Sequence, residues 1–341
     1  MHKKVTMSEV AERARVSKAT VSRVLNRPQI VAEDVQERVH RAMTELSYQP
    51  NRHARALGGI HRKTVGLLFF KDLWDLVLNP FWGMATSTVY ERLLDSDMDC
   101  NLIALGESIT AKERFSSTDR YEQFLGSRNV DGFLVIGHMQ PEYENYFASG
   151  EVPAVLWGRP AAPTSRLAYA DSNHEDGAVS GVTHLIERGR RTIATITGDM
   201  STAPARDRYE GYARALRENG IDLRWSLIAN GDFTRASGAE AMRSLLDSGA
   251  EIDGLFAAND EMALGAMDVL SARGLSVPGD ISVVGFDNVT LPQRTGLKLT
   301  SVSHSYDELG AALVEGLAAR MHGEAHTSRL IPTRLVLGDT T

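Results

Sequence analysis

The chain has 341 residues, 43% hydrophobic and 24% charged, with a formal net charge of −7 and a single cysteine, Cys100. This length supports more than one domain, the lone cysteine excludes a disulfide framework or a Cys/His metal cluster, and no apolar stretch reaches membrane-spanning length. Charge is unevenly placed: residues 1–63 hold 13 Lys/Arg against 6 Asp/Glu, while the remainder carries a net −14, so one end is suited to a polyanion.

Val5 to Asn26, VTMSEVAERARVSKATVSRVLN, reads as two short helices around a tight turn. Thr6 and Glu9 form a capping box for the first helix, and Ser17 caps the second. Val10, Ala14 and Val16 meet Val21, Val24 and Leu25, which leaves Lys18, Ala19, Ser22 and Arg23 outward. A helix entering the major groove leads with its N-terminal residues, so Lys18 and Ala19 would meet base edges while Ser17, Thr20 and Ser22 reach phosphates. Arg23 can donate two hydrogen bonds to guanine. The competing reading is a helical hairpin with solvated charges, and the charge partition argues against it.

A third helix is predicted from Glu33 to Leu46, followed by YQPNRHARALGG, Tyr48 to Gly59. Pro50 suits a first helical turn, Ala54 to Leu57 favour helix, and Gly58 and Gly59 stop it. An isolated helix needs roughly 12–15 residues to hold in water, so this one is expected to order only when docked. Leu57 suits a wedge between base steps in a minor groove; the alternative is a plain linker whose Leu57 packs on the next domain.

Beyond it, strands and helices alternate. The apolar runs Thr64–Phe70, Asn101–Leu105, Gly132–Ile136, Thr192–Thr197, Gly254–Ala258 and Ile281–Phe286 read as buried parallel strands. Helical stretches are predicted at Gly177–Arg188, Ala205–Asn219, Ala236–Ser248 and Glu261–Arg273. The pattern implies doubly wound sheets covered on both faces, in which small molecules bind outside the carboxyl ends of the strands. Asp287, Asn259 with Asp260, Arg206 with Arg208, and Asn79 with Phe81 and Trp82 all follow such runs. Carboxylate, amide and guanidinium groups pair with neighbouring hydroxyls and aromatic rings cover a sugar's apolar face, which describes a polyol pocket. Asp260 is equally well an N-cap. Trp74, Trp157 and Trp225 read as packing residues, and His174 and His184 are assigned no role.

The N-terminal motif followed by PNRHARALGG resembles the DNA-binding head and hinge helix of the lactose/galactose repressor (LacI/GalR) family. NPFW (79–82), ARDRYEGY (205–212), ANDEMALGAM (258–267) and ISVVGFDN (281–288) resemble its effector-site motifs, and also periplasmic sugar-binding proteins. The resemblance implies an all-α helix-turn-helix head, residues 1–47, and a hinge, residues 48–62. It further implies an α/β core of two doubly wound parallel-sheet subdomains of the type I periplasmic-binding-protein kind, residues 63–163 with 293–325 and 164–292 with 326–341. It implies base reading by Lys18, Ala19 and Arg23, phosphate contacts from Thr6, Ser17, Thr20, Ser22 and Asn26, and minor-groove insertion by Leu57 with Asn51 and Ala54 nearby. In the core it implies hydroxyl contacts from Arg208, Asn259 and Asp287 and stacking by Phe81, Trp82 and Phe233, with Asn79, Arg159, Asp171 and His304 as further effector candidates. Three departures stand out: Arg15 where the turn usually has Gly, Ala32 where a Ser usually caps the third helix, and Gly158 where an Asp often precedes the Arg.

There is no G-x-S-x-G elbow, phosphate loop, G-x-G-x-x-G after the first strand or H-E-x-x-H, so enzymatic and metal chemistry have no motif to rest on, and no cofactor is implied. No apolar signal region precedes the head, which points to the cytoplasm. The expectation is a homodimeric repressor that a small sugar releases from a palindromic operator; a purine or nucleoside corepressor is the alternative, and a sugar-processing enzyme the remoter one. No heptad leucine tail follows LIPTRLVLGDTT, so a dimer is expected rather than a tetramer.

Overall fold

Capping sets the limits of the first helices. The computed structural model describes residues 6–341 apart from 27, 47, 49–61, 71–72, 106–124, 127–129, 138, 140, 149–151, 161–166, 290–295 and 325–326. The chain divides into two units, Met1–Lys63 and Thr64–Thr341.

In the first unit, helix α1 spans Met7–Ala14, α2 Lys18–Asn26 and α3 Glu33–Glu45. The Thr6 backbone N–H donates to Glu9 Oε2 at 2.6 Å and the Glu9 N–H donates to Thr6 Oγ1 at 3.4 Å, completing the expected capping box. At the other end Arg15 is left-handed, φ 55° and ψ 47°, and its N–H bonds to the Ala11 and Glu12 carbonyls. The turn keeps its shape although a side chain stands where glycine has no steric cost. Ser17 Oγ accepts the Thr20 N–H at 3.0 Å. Ala32 makes no side-chain cap, and Glu33 and Asp34 face the positive end of the α3 dipole instead. Val10, Ala14, Val21, Val24, Val39 and Ala42 form the buried seam, with Tyr48 closing it and Val16 and Leu25 at its margin. The expected hinge helix, with Asn51, Ala54 and Leu57, lies outside the described residues.

The second unit is built on two six-stranded sheets. The first has the order β11-β5-β4-β3-β1-β2, with β1 Thr64–Phe69, β2 Asp99–Ala104, β3 Gly132–Ile136, β4 Ala154–Trp157, β5 Ala168–Ser172 and β11 Arg329–Ile331. The second has the order β12-β10-β9-β8-β6-β7, with β6 Ile193–Thr197, β7 Ile228–Asn230, β8 Gly254–Ala257, β9 Ser282–Asp287, β10 Thr300–Ser303 and β12 Arg334–Val336. Their pairings are parallel except β10 with β12. Helices α4 (Leu73–Leu78), α5 (Pro80–Asp95), α6 (Pro141–Ala148) and α11 (Tyr306–Met321) accompany the first sheet. Helices α7 (His174–Glu187), α8 (Ala203–Glu218), α9 (Arg235–Asp247) and α10 (Asp260–Ala272) accompany the second.

The period of two in a strand explains the layers. Val65, Leu67 and Phe69 enter one core, Leu68 enters the other, and along β9 Val283 and Val284 divide likewise, so each sheet is covered on both faces. The subdomain borders lie elsewhere than expected. Strand β5, assigned to the second subdomain, belongs to the first sheet; β10, assigned to the first, belongs to the second; and β11 returns to the first sheet. The chain therefore crosses between sheets after Ser172, after Ser303 and after Ile331. At these crossings the Asn173 N–H donates to the Ile331 carbonyl at 2.8 Å, and Ser305 Oγ donates to the Pro332 carbonyl at 2.8 Å.

Relieving the left-handed Arg15 tests the turn. Arg15→Gly should stabilise the head by roughly 0.5–1 kcal/mol, the αL cost less glycine's extra chain entropy. A thermal melt of the head transition that is unchanged or lowered would show that Arg15 contributes more than it strains.

Candidate functional site

The chain offers two functional surfaces. On the head, burial of Val21 and Val24 turns the opposite strip of α2 outward, where Lys18, Ala19 and Arg23 are exposed and Thr20 and Ser22 half-buried. Ser17 and Thr20 share a hydroxyl hydrogen bond of 2.8 Å, and Thr6 Oγ1 donates to Glu9 Oε2 at 2.8 Å. Asn26 ends α2.

In the core, the carboxyl ends of the strands and the crossings bring together residues far apart in sequence. Arg208, in the first turns of α8, is buried with its guanidinium 3.7 Å above the Phe286 ring. Its Nη2 meets Asp287 Oδ1 at 3.3 Å, Nη1 donates to the Ala258 carbonyl, and Nε and Nη2 each reach His174 Nδ1 at 3.3 Å. Asp287 closes β9 with φ 103°, a left-handed conformation that costs a non-glycine residue about 1–3 kcal/mol and is held by its surroundings. His304 Nε2 donates to Asp287 Oδ1 at 3.1 Å, so its Nδ1 is the acceptor for Ser172 Oγ at 2.7 Å, and the Tyr306 hydroxyl donates to the Asp287 carbonyl at 3.2 Å. The second crossing is thereby pinned to both sheets.

On the first sheet's side, Asn79 caps α5, its Oδ1 accepting the Phe81 N–H at 3.0 Å. That cap places Phe81 edge-on to Trp82, ring centroids 5.0 Å apart, and 5.5 Å from His304. Trp82 lies over Gly137, at φ 93°, where a Cβ would sit 2.9 Å from the indole. The second sheet repeats the device: a Cβ on Gly198 would lie 2.0 Å from the Phe233 ring. Each aromatic ring is therefore backed by bare main chain at the end of a central strand. Phe233 itself has φ 70°, and its carbonyl accepts Asn259 Nδ2 at 3.0 Å.

Asn259 is the true cap of α10, accepting the Met262 N–H at 2.9 Å. The N-cap expectation for Asp260 is thus corrected: Asp260 is buried inside the helix start, accepting Ser301 Oγ at 2.6 Å and the Val289 N–H at 2.9 Å. Burial, and then the Asp287 carboxylate, push its pKa well above the usual carboxylate range. Asp171, at the end of β5, accepts the Ser172 N–H at 2.9 Å and His174 Nε2 at 3.1 Å. Burial raises its pKa, but His174, the Ser172 N–H and Arg159 outweigh burial and hold it below the usual value. Arg159 pairs with Asp207 of α8, and its Nε faces Asp171 Oδ2 at 3.9 Å, both atoms buried without a hydrogen-bond partner.

The site so assembled joins Phe81, Trp82, Arg159, Asp171, Arg208, Phe233, Asn259, Asp287 and His304, with Asn79 as the cap that orients the aromatic pair. His174 was missed. The sequence assigns it no role, yet it is 3% exposed and touches both Asp171 and Arg208. Its position three residues after Asp171, at a crossing rather than mid-helix, was invisible without β5. Ser172 and Tyr306 were missed for the same reason. Trp157 packs in β4 as expected, whereas Trp225 is 76% exposed and packs on little. His184 bonds to Thr341 Oγ1 at 2.9 Å, away from the site.

Residues 6–51 match the family of bacterial regulatory proteins, lacI family, and residues 182–341 match a periplasmic binding protein-like domain. The HTH-type transcriptional regulator CelR of Thermobifida fusca is 35% identical over 97% of this chain and 95% of its own length. The chain belongs to the LacI family of transcriptional regulators. Its relatives also include the HTH-type transcriptional repressor PurR of Erwinia tasmaniensis, 32% identical over 96% of this chain and 93% of its own. Among solved structures, a transcriptional regulator CelR–cellobiose complex superposes with a TM-score of 0.74 at 32% identity, covering 99% of this chain and 100% of that one. The Lac repressor dimer bound to operator and the anti-inducer ONPF superposes at 0.84 with 28% identity, covering 99% of each. The helical head and two-sheet core expected from the sequence are those of this family of regulators.

Burial of His174 gives the core a pH signature. Loss of water around the ring pushes its pKa down from 6.5 to about 4, so between those values the unfolded chain takes up a proton that the folded one refuses. Stability conferred by this group is present above pH 6.5 and falls as pH drops toward 4, by about 1.4 kcal/mol per pH unit. Chemical denaturation at pH 7, 6 and 5 should show the wild type losing ground against His174→Gln as pH falls; a constant difference would mean that the ring titrates alike in the folded and unfolded chains.

Proposed function

We propose that this regulator represses carbohydrate-utilisation genes, binding a near-palindromic operator as a homodimer in the cytoplasm and leaving it when a small neutral saccharide occupies the cleft between the two core sheets. The observation that carries the reading is the Arg208–Asp287 ion pair, hydrogen-bonded to His304 beside Phe81, in a chain whose head turns Lys18, Ala19 and Arg23 outward.

Charge balance supports an uncharged ligand. Arg208 is matched by Asp287, and Arg159 by Asp207 and Asp171, so among the described residues an added phosphate or carboxylate would meet carboxylates without a free cation to offset them. A paired guanidinium keeps an N–H and a paired carboxylate keeps a lone pair, the complement that vicinal hydroxyls need. Phe81, Trp82 and Phe233 supply the apolar walls, and Asn259 an amide. The relatives bound to cellobiose and to operator are consistent with this assignment.

On the head, Lys18, Ala19 and Arg23 read bases, while Thr6, Ser17, Thr20, Ser22 and Asn26 meet phosphates. Asn51, Ala54 and Leu57 would act at the operator centre. Exposed Val77, Leu78, Tyr90, Leu94 and Leu102, on α4, α5 and edge strand β2, support a second copy as partner. No helix among the described residues is long and apolar enough to cross a membrane. Coupling of saccharide to operator is reciprocal, and a hundredfold release needs only about 3 kcal/mol of differential affinity.

A thermal-shift panel of neutral mono- and disaccharides, sugar phosphates and purine nucleosides tests the reading. One saccharide should stabilise the core by about 2.7 kcal/mol at a concentration of 100 Kd and weaken operator binding. A purine that instead stabilises the core and strengthens operator binding would install the corepressor reading. Arg208→Met should keep operator affinity within about threefold but abolish release by that saccharide at concentrations saturating the wild type; release at wild-type concentrations would move the pocket elsewhere. Arg23→Ala should weaken specific binding by about 1–3 kcal/mol and nonspecific binding far less; equal losses would remove it from base reading.

A further inference from the structure

His174 is the first residue of α7, directly after the chain crosses from the first sheet to the second. Its neighbours are polar and come from both sides: Asp171 lies near the end of strand β5, Arg208 lies on α8, and His304, ring centroid 5.6 Å away, follows β10. Asp171 is held as the carboxylate and can only accept, so the 3.1 Å contact requires His174 Nε2 to carry the proton. Nδ1 is then a lone pair, and it faces the two Arg208 nitrogens at 3.3 Å. We propose that His174 is a positioning residue that orients the Arg208 guanidinium for the saccharide, relaying to it the fixed carboxylate of Asp171.

The need for such a residue follows from what else holds Arg208. Phe286 supports the guanidinium plane at 3.7 Å, but a ring face lets the group turn within its own plane. Asp287 and the Ala258 carbonyl hold the Nη side, and His174 is the acceptor on the Nε edge. With the imidazole in place, Nε, Nη2 and one N–H of Nη1 are engaged, which leaves a single defined Nη1 donor for a ligand hydroxyl. Removing the acceptor strands the Nε–H in a buried site and lets the fork rotate, so the remaining donor loses its direction. Because Asp171 belongs to the first sheet and Arg208 to the second, the relay also ties the donor's direction to the crossing.

The inference rests on the proposed function for its ligand, but not for its geometry. Two substitutions separate an acceptor from mere bulk: His174→Phe fills the space without accepting, and His174→Gln can donate to Asp171 and accept from Arg208. In the full chain, nitrogen-15 NMR should find the Arg208 Nε–H slow to exchange in the wild type and in His174→Gln, and at least tenfold faster in His174→Phe, with no ligand present. The affinity for cellobiose, or for the saccharide giving the largest wild-type thermal shift, should fall tenfold or more in His174→Phe and stay within about threefold in His174→Gln. Operator affinity without saccharide should stay within about threefold of the wild type in both. If His174→Phe does not fold, His174→Met makes the same removal. Unchanged Nε–H exchange, or equal affinity losses in the two variants, overturns the positioning role. Altered exchange in a protein that binds no saccharide overturns the proposed function and leaves the relay standing.

Discussion

A guanidinium buried against a carboxylate is the constraint around which the core is organised. Taking Arg208 and Asp287 out of water costs several kcal/mol per ion, and their attraction at 3.3 Å returns that cost only if the remaining hydrogen-bonding capacity is met. Arg208 meets it with a main-chain carbonyl, an imidazole and an aromatic face; Asp287 meets it with His304. Apolar replacement of a buried ion pair at equal volume is often neutral or stabilising, so stability alone does not account for the pair. What the pair supplies is a set of rigid donors and acceptors, the pre-aimed hydrogen-bonding groups that the proposed saccharide requires.

The topology delivers these groups in pairs. In the second sheet the order β9-β8-β6-β7 reverses direction about β6 and β8; the segments that follow β6 and β8 carry Arg208 and Asn259, and β9 ends on Asp287. In the first sheet the corresponding reversal lies between β3 and β1, and there Trp82 rests on Gly137, the glycine that follows β3. Glycine at those two strand ends matters less for its own flexibility than for the ring that occupies the missing side chain's place. Asn79 and Asn259 then do the same work on opposite sides: each caps a helix and so fixes the approach of an aromatic residue, Phe81 in one case and Phe233 in the other.

Legibility in the sequence followed burial. Strands whose both faces are apolar, such as β1, β3 and β9, stand out as continuous runs, and the helices of the second sheet end within a few residues of their predicted limits because their caps and glycines are local signals. Strand β10, TSVS, is wholly buried yet reads as polar: Ser301 Oγ is spent on Asp260 and the Thr300 N–H on Thr340, contacts that span about forty residues and leave no local trace. Strand β4 is only four residues long, and β5 ends in the polar Asp171 and Ser172 because it runs into the site. Missing β5 and β10 displaced the subdomain borders, and the same gap hid His174, Ser172 and Tyr306. The left-handed Arg15 and the uncapped Ala32, by contrast, were readable, because a turn and a helix start are decided by neighbours in sequence.

The three crossings explain why the polar network sits where it does. Each leaves very few residues between elements of different sheets: Asn173 alone, His304 with Ser305, and Pro332 with Thr333. Such short connections restrict the sheets to turning about one another, and bonds from Asn173 to Ile331 and from Ser305 to Pro332 hold the crossings side by side. His174 and His304 each have partners from both sides, and Arg159 and Asp207, likewise one from each side, form an ion pair across them. A ligand shifts a conformational equilibrium only through differential contacts with its states. For the proposed saccharide, the Arg159 side of the site offers such a contact: two buried polar atoms, Arg159 Nε and Asp171 Oδ2, stand 3.9 Å apart without a hydrogen bond and would gain one from a hydroxyl able both to accept and to donate.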